Sequence, residues 1–189
     1  KEALKHYRRV TVLDAGNAAG YLKCGEICVR LGALLRALRQ FRKVQRLVPE
    51  SSAGYRSAGD VLRFQRKFAE AQKMYLLALK RDARDAEAHF GIAQAYEVQN
   101  DHPRALDHYS RVIELAPDRT TAYLVRGDLH LARGHYKRSV ADFDEVVRLT
   151  PDSPDGYLGR GRAYEAQGEY PKALAEFAEA EKRAPRREP

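Results

Sequence analysis

Residues 120–151 read TTAYLVRGDLHLARGHYKRSVADFDEVVRLTP, two amphipathic stretches separated by Gly134 and closed by Pro151. Tyr123, Arg126, Gly127 and His130 fall on one side of a first helix, and Ser139, Phe143 and Val146 on one side of a second. Glycine is costly inside a helix but favoured just past its C-terminus, and proline cannot continue one. The stretch therefore reads as helix, tight turn, helix.

The same residue types return at a spacing of 34 residues. Tyr21, Tyr55, Tyr123 and Tyr157 open the first helix of their copies, with His89 in that slot once. Small residues follow four positions on, at Gly25, Gly59, Ala93, Gly127 and Gly161. The second helix carries a small residue at Ala3, Ala37, Ala71, Ala105, Ser139 and Ala173, then an aromatic at Tyr7, Phe41, Tyr75, Tyr109, Phe143 and Phe177. Small residues let two helices approach closely while the aromatic ring fills the gap, so each copy buries its stripe against a neighbour.

In period and in these signature residues the chain resembles the tetratricopeptide repeat family. The resemblance implies an all-α, right-handed superhelical solenoid of antiparallel helix pairs. It divides the chain into the second helix of a truncated repeat (1–17), five repeats (18–51, 52–85, 86–119, 120–153 and 154–185) and a short tail (186–189). Because the chain opens partway through a repeat, it reads as a piece of a longer protein. Burying apolar area at about 25 cal/mol per Å² makes such a stack viable without staples.

The two cysteines exclude a disulfide-built secreted fold and leave the compartment open. Cys24 and Cys28 stand four apart on one helix, in slots that hold apolar residues in other copies. Their Cβ atoms would start about 5–6 Å apart, too far for a bridge, and no two further ligands accompany them to build a metal site. His89 reads as a satisfied core residue. No apolar run is long enough to span a bilayer. Gly159 and Gly161 lie inside a helix that follows another helix, which is the wrong context for a phosphate loop, so no cofactor is expected. Paired carboxylates in a cleft, nucleophile-base arrangements and HExxH are all missing, and an active site is not expected.

Charge is distributed unevenly. Residues 1–85 hold 19 basic against 8 acidic side chains, and residues 86–189 hold 15 against 18. The second helix of the first repeat carries Arg36, Arg39, Lys43 and Arg46 opposite its buried stripe, with Lys5, Arg8 and Arg9 adding to the same basic outer face. A solvated helix face accounts for such a stripe, and so does a docking surface for an acidic protein or anionic membrane. Nucleic acid is not the expected partner, because no aromatics interleave with the basic residues outside the core. Met74, Leu76 and Leu77 add apolar character to the outer side of the next repeat's second helix.

The family resemblance implies that the first helices line a hollow that takes an extended peptide or partner segment. The slots expected to face it are Leu22, Glu26 and Val29; Arg56, Asp60 and Arg63; Phe90, Gln94 and Glu97; Leu124, Asp128 and Leu131; Leu158, Arg162 and Glu165. Four of the five leading slots are apolar and charges of both signs follow, which suits a partner with spaced apolar anchors. Family members that grip a chaperone's C-terminal carboxylate use Lys and Asn, then Asn, then Lys and Arg on three successive first helices. No three consecutive repeats here supply that clamp. The expectation is a non-catalytic interaction module. The alternatives are a scaffold that self-associates through exposed terminal helices or docks by its basic face, and a regulatory or targeting domain of a larger enzyme.

Overall fold

A computed structural model describes residues 9, 10 and 12–184. Among them the regular elements are helices: α1 Ala18–Arg30, α2 Leu34–Leu47, α3 Ala53–Phe64, α4 Phe68–Arg81, α5 Ala86–Val98, α6 His102–Leu115, α7 Thr120–Ala132, α8 Tyr136–Leu149, α9 Asp155–Ala166 and α10 Tyr170–Arg183. None of these helices is long and apolar enough to cross a membrane. The described residues form two compact units that divide between Asp101 and His102. Ala3, Lys5, Tyr7, Arg8 and the tail after residue 184 lie outside the described residues; Arg9 is exposed and Val10 half-buried.

In the first unit α1 packs on α2 and α3 on α4, and the pairs stack through α2 on α3 and α4 on α5. Periodicity places small residues where helices touch, and the aromatic of the second helix fills the seam. Tyr75 is fully buried, and a Cβ added at Gly59 or Gly91 would come within 2.7 or 2.3 Å of its ring. Its own repeat and the following one therefore each need a glycine to admit the ring, whose burial contributes about 2–3 kcal/mol. Leu38 and Met74 border both apolar clusters of this unit and make them one core. Met74 is thus a half-buried packing residue, while Leu77 is half-buried and Leu76 exposed. Cys24 and Cys28 are both buried, Cys28 within that core, and they form no disulfide.

The second unit repeats the scheme with α6 on α7, α7 on α8, α8 on α9 and α9 on α10. Phe143 takes the place of Tyr75, fully buried with Tyr123 and Val146 around it. Phe177 differs from its counterparts in being half-buried, since no helix follows α10 among the described residues. Two charged residues of α10 are engaged with other segments. Arg183 donates from Nε to the Pro151 carbonyl (2.8 Å) and stacks over Tyr157, and Glu176 is half-buried against Arg160. Arg81 does the same three repeats earlier, donating to the Pro49 carbonyl at 2.9 Å.

Each turn within a pair closes by the same pattern: a backbone N–H bonds back to a carbonyl five residues earlier, and the residue before the donor is left-handed. His135 N donates to His130 O and Lys67 N to Leu62 O, both at 2.9 Å. The left-handed residues are Gly32, Arg66, Asn100, Gly134 and Gly168, so two of the five positions are not glycine.

Candidate interaction surfaces

Along the first helices of unit one, α1 presents Leu22 and Glu26 half-buried and Val29 exposed. On α3, Arg56 and Arg63 are half-buried and Asp60 exposed, and on α5 Phe90, Gln94 and Glu97 are half-buried. Packing of α3 on α1 and α5 brings these rows side by side. Several charged members are held in place. The Tyr75 hydroxyl donates to Asp60 Oδ1 (2.8 Å) and accepts from Arg63 Nε (3.3 Å). Burial, and next the Asp60 carboxylate, push the Tyr75 phenol up, so it stays a hydrogen-bond donor. Arg56 lies 3.3 Å from Asp85, and Glu26 takes Lys23 at 2.8 Å.

In unit two α7 presents Leu124 and Leu131 half-buried and Asp128 exposed, while α9 presents Leu158, Arg162 and Glu165 exposed. Arg162 crosses to Asp128 at 2.9 Å, joining the two helices one turn beyond Leu124 and Leu158.

The other side of the pairs carries a different chemistry. On α2, Arg36, Arg39, Lys43 and Arg46 are exposed, Arg42 joins them, and the helix has no acidic residue. Beside this stripe a groove of about 320 Å³ runs between α2 and α4 over α3. Leu38, Ala58, Leu62 and Met74 form its apolar part, with Arg42, Gln45, Glu70 and Lys73 at the edges. Sequence reasoning placed Met74 on this side and did not see the groove, whose floor is set by contacts across three helices.

Two repeats on, the second unit has the equivalent groove, about 460 Å³, between α6 and α8 over α7. Here Ser110 stands for Arg42, Arg126 for Ala58, His130 for Leu62 and Asp142 for Met74. Arg126 donates to Asp142 through Nε (3.0 Å) and Nη2 (2.6 Å), and through Nη1 to Ser110 Oγ (2.9 Å). One guanidinium thus ties three helices together, with Asp142 buried and only 5% of its side chain exposed. One repeat further, Arg160 bridges Asp144 (2.8 Å) and Glu176 (2.7 Å) in the same register. His130 is buried, its Nδ1 has no hydrogen-bond partner, and desolvation lowers its pKa below the ordinary histidine value against the pull of Asp142. The signal for this network was present: Ser110 with Asp144, Arg126 with Arg160, and Asp142 with Glu176 recur at the repeat spacing.

His89 is half-buried, with Nε2 3.3 Å from the Ala83 carbonyl. Among the described residues no group of three or more His, Cys, Asp or Glu side chains could hold a metal ion.

Comparison with known proteins places this geometry. The chain is 35% identical over 78 residues to the probable UDP-N-acetylglucosamine–peptide N-acetylglucosaminyltransferase SPINDLY of Arabidopsis thaliana, covering 41% of the chain and 8% of that protein. It is 27% identical over 99 residues to Hsp70-Hsp90 organizing protein 3 of Arabidopsis thaliana, covering 52% and 18%. Superkiller complex protein 3 of Mus musculus is 26% identical over 142 residues, covering 68% and 9%. The chain spans less than a fifth of the length of each of these relatives. Among solved structures, YrrB, described as a TPR protein with an unusual peptide-binding site, superposes with a TM-score of 0.78 at 21% identity, over 97% of this chain and 94% of that one. MamA superposes with a TM-score of 0.79 at 20% identity, over 88% and 91%. At these identities the likeness shows the shared fold. The profile of the tetratricopeptide repeat matches residues 56–120 and 124–188, more than half of the sequence. The chain belongs to the tetratricopeptide repeat family, an all-α repeat fold that serves as a protein-protein interaction module.

Proposed function

We propose that the first-helix rows hold extended peptide or partner segments and that the chain is a non-catalytic binding module. The observation that carries this reading is on α7 and α9: Leu158 is 42% exposed, Leu124 and Leu131 are half-buried, and the Asp128–Arg162 pair lies one turn beyond Leu124 and Leu158. Apolar anchor sites flanked by charges of both signs recognise a segment with spaced apolar side chains and polar flanks. The row on α1, α3 and α5 has the same composition, with Leu22 and Phe90 leading and Asp60 and Arg63 fixed by Tyr75.

Selection of a random peptide library on the whole chain tests this. The expected result is a common motif of spaced apolar residues whose binding is lost in Leu124→Glu with Leu158→Glu and kept in Arg39→Glu with Lys43→Glu. No enriched motif, or loss only with the second variant, overturns the reading. A chaperone C-terminal tail peptide is expected not to bind. Leu22 and Glu26, Arg56 and Asp60, and Phe90 and Gln94 stand where the carboxylate clamp needs Lys and Asn, and Ser57, Gly91 and Val125 fill its third slot.

A further inference from the structure

We infer that the outer groove of the first unit, between α2 and α4 over α3, is a second binding site, for an acidic amphipathic segment that seats an apolar side chain on Met74 and Leu38. It lies away from the first-helix rows and does not depend on them. In the second unit the groove at the same register, though about 460 Å³ in volume, has a charged floor: Arg126 spends its donors on Asp142 and Ser110. In the first unit the crossing residue is Ala58 and its partner position is Met74, so the groove of about 320 Å³ keeps an apolar floor that none of the described side chains fills.

The rim identifies the occupant by charge. From α2 the rim takes Arg42, and Lys73 stands on the facing edge; the rest of α2 adds Arg36, Arg39, Lys43 and Arg46 to the exposed surface nearby, with no acid on the helix. The one acidic group on the rim, Glu70, sits 3.8 Å from Lys67. An apolar slot bordered by cations selects a segment with an apolar anchor flanked by carboxylates, because the anchor supplies burial and the flanks supply steering and register. A partner carrying charge alone would leave the floor wet.

Met74 is the only methionine of the chain and lies in the floor, so a 13C-methyl methionine label gives a single resonance that reports occupancy directly. The probe is a synthetic amphipathic helix with leucine on one face among glutamates, used beside a copy with lysine for glutamate and a copy with serine for leucine. On the full-length chain at physiological salt, the glutamate–leucine peptide is expected to bind and to shift the Met74 methyl. Arg42→Glu with Lys73→Glu, both exposed positions, is expected to weaken binding by about tenfold or more, while Leu124→Glu with Leu158→Glu leaves it unchanged. The lysine and serine copies are expected to fail. Three results overturn the inference: binding that leaves the Met74 methyl unmoved, equal binding of the serine copy, or failure of the peptide while anionic phosphatidylserine vesicles bind and are released by the Arg42 and Lys73 changes. The first two mark a diffuse basic surface and the third a membrane-facing one.

Discussion

The grooves over α3 and over α7 occupy one register of the repeat and are built in opposite ways. Over α3 the crossing positions are Ala58, Leu62 and Met74, which continue the core outward and leave an apolar floor. Over α7 they are Arg126, His130 and Asp142, and Arg126 joins three helices by charged hydrogen bonds to Asp142 and Ser110. The helices themselves do not require either solution, since the small and aromatic slots that set their packing are the same in both units. What differs is where each unit draws its inter-helix contact, from apolar burial in one and from a paired, largely desolvated guanidinium in the other. A charged link of this kind contributes little beyond an apolar one of equal shape but is costly to break, because the survivor keeps its desolvation.

The largest effect expected from this difference follows from breaking one half of the link. Asp142→Ala leaves the half-buried Arg126 without its carboxylate and should cost about 3 kcal/mol. Met74→Ala at the matching position removes half-buried apolar contacts and should cost about 1 kcal/mol. Transplanting the first unit's solution, Arg126→Ala with Asp142→Met, should return stability to within about 1 kcal/mol of the parent, a strong coupling in the double-mutant sense. Urea midpoints of the three variants measure this. If Asp142→Ala were no worse than Met74→Ala, the two grooves would be energetically alike and the contrast would be geometric only.

How far these features could be read in advance depends on how local their causes are. Helix pairs, their limits and the buried slots at Ala37, Phe41, Ala71, Tyr75, Ser139 and Phe143 follow from a 3.6-residue stripe repeated at a constant period, so each copy corroborates the next. The Arg126 link joins residues sixteen apart on either side, a distance that no single-helix pattern contains. Arg126 also sits at the helix position that Cys24, Ala58 and Ile92 hold elsewhere. Only the joint appearance of polar side chains in three slots of two successive copies, charged in two of the slots both times, betrays it. The contacts of Arg183 and Glu176 are equally non-local, since their partners are Pro151 and Arg160 in other segments. The first-helix row was legible by slot. Its apolar members reach the surface to different degrees, Leu158 exposed and Leu22 half-buried, because packing between neighbouring first helices differs from pair to pair.

Protonation sharpens the same comparison at an intermediate scale. Unfolded, the His130 imidazole takes a proton at its ordinary value of about 6.5; folded, desolvation holds that value lower. Between the two the unfolded chain binds more protons, so stability is full above about pH 6.5 and falls as the pH drops through the folded value. His130→Leu installs the residue that Leu62 supplies in the first unit and removes a buried nitrogen without a partner. It should flatten stability between about pH 7.5 and 5.5 and add about 1 kcal/mol at the acidic end. Denaturant midpoints at the two pH values check it, and an unchanged slope would move the acid sensitivity elsewhere.

The smallest expected effect concerns the turns, where the units again differ. Both turns of the second unit place glycine at the left-handed position, Gly134 and Gly168, whereas the first unit uses Gly32, Arg66 and Asn100. Arg66 holds φ at +61° so that Lys67 N can reach the Leu62 carbonyl, a conformation in which its Cβ crowds the backbone. Its side chain is exposed, and removing it sacrifices no packing. Arg66→Gly relieves that crowding at the cost of a more flexible unfolded chain, and a net gain of about 0.5–1 kcal/mol is expected. Asn100→Gly should gain less, because asparagine tolerates the left-handed region by bonding locally, and Gly134→Ala should lose about 1 kcal/mol. Thermal melting of the three variants ranks them. Equal gains at positions 66 and 100 would mean that the turn, closed by the same five-residue bond in every pair, dictates the cost regardless of which side chain occupies it.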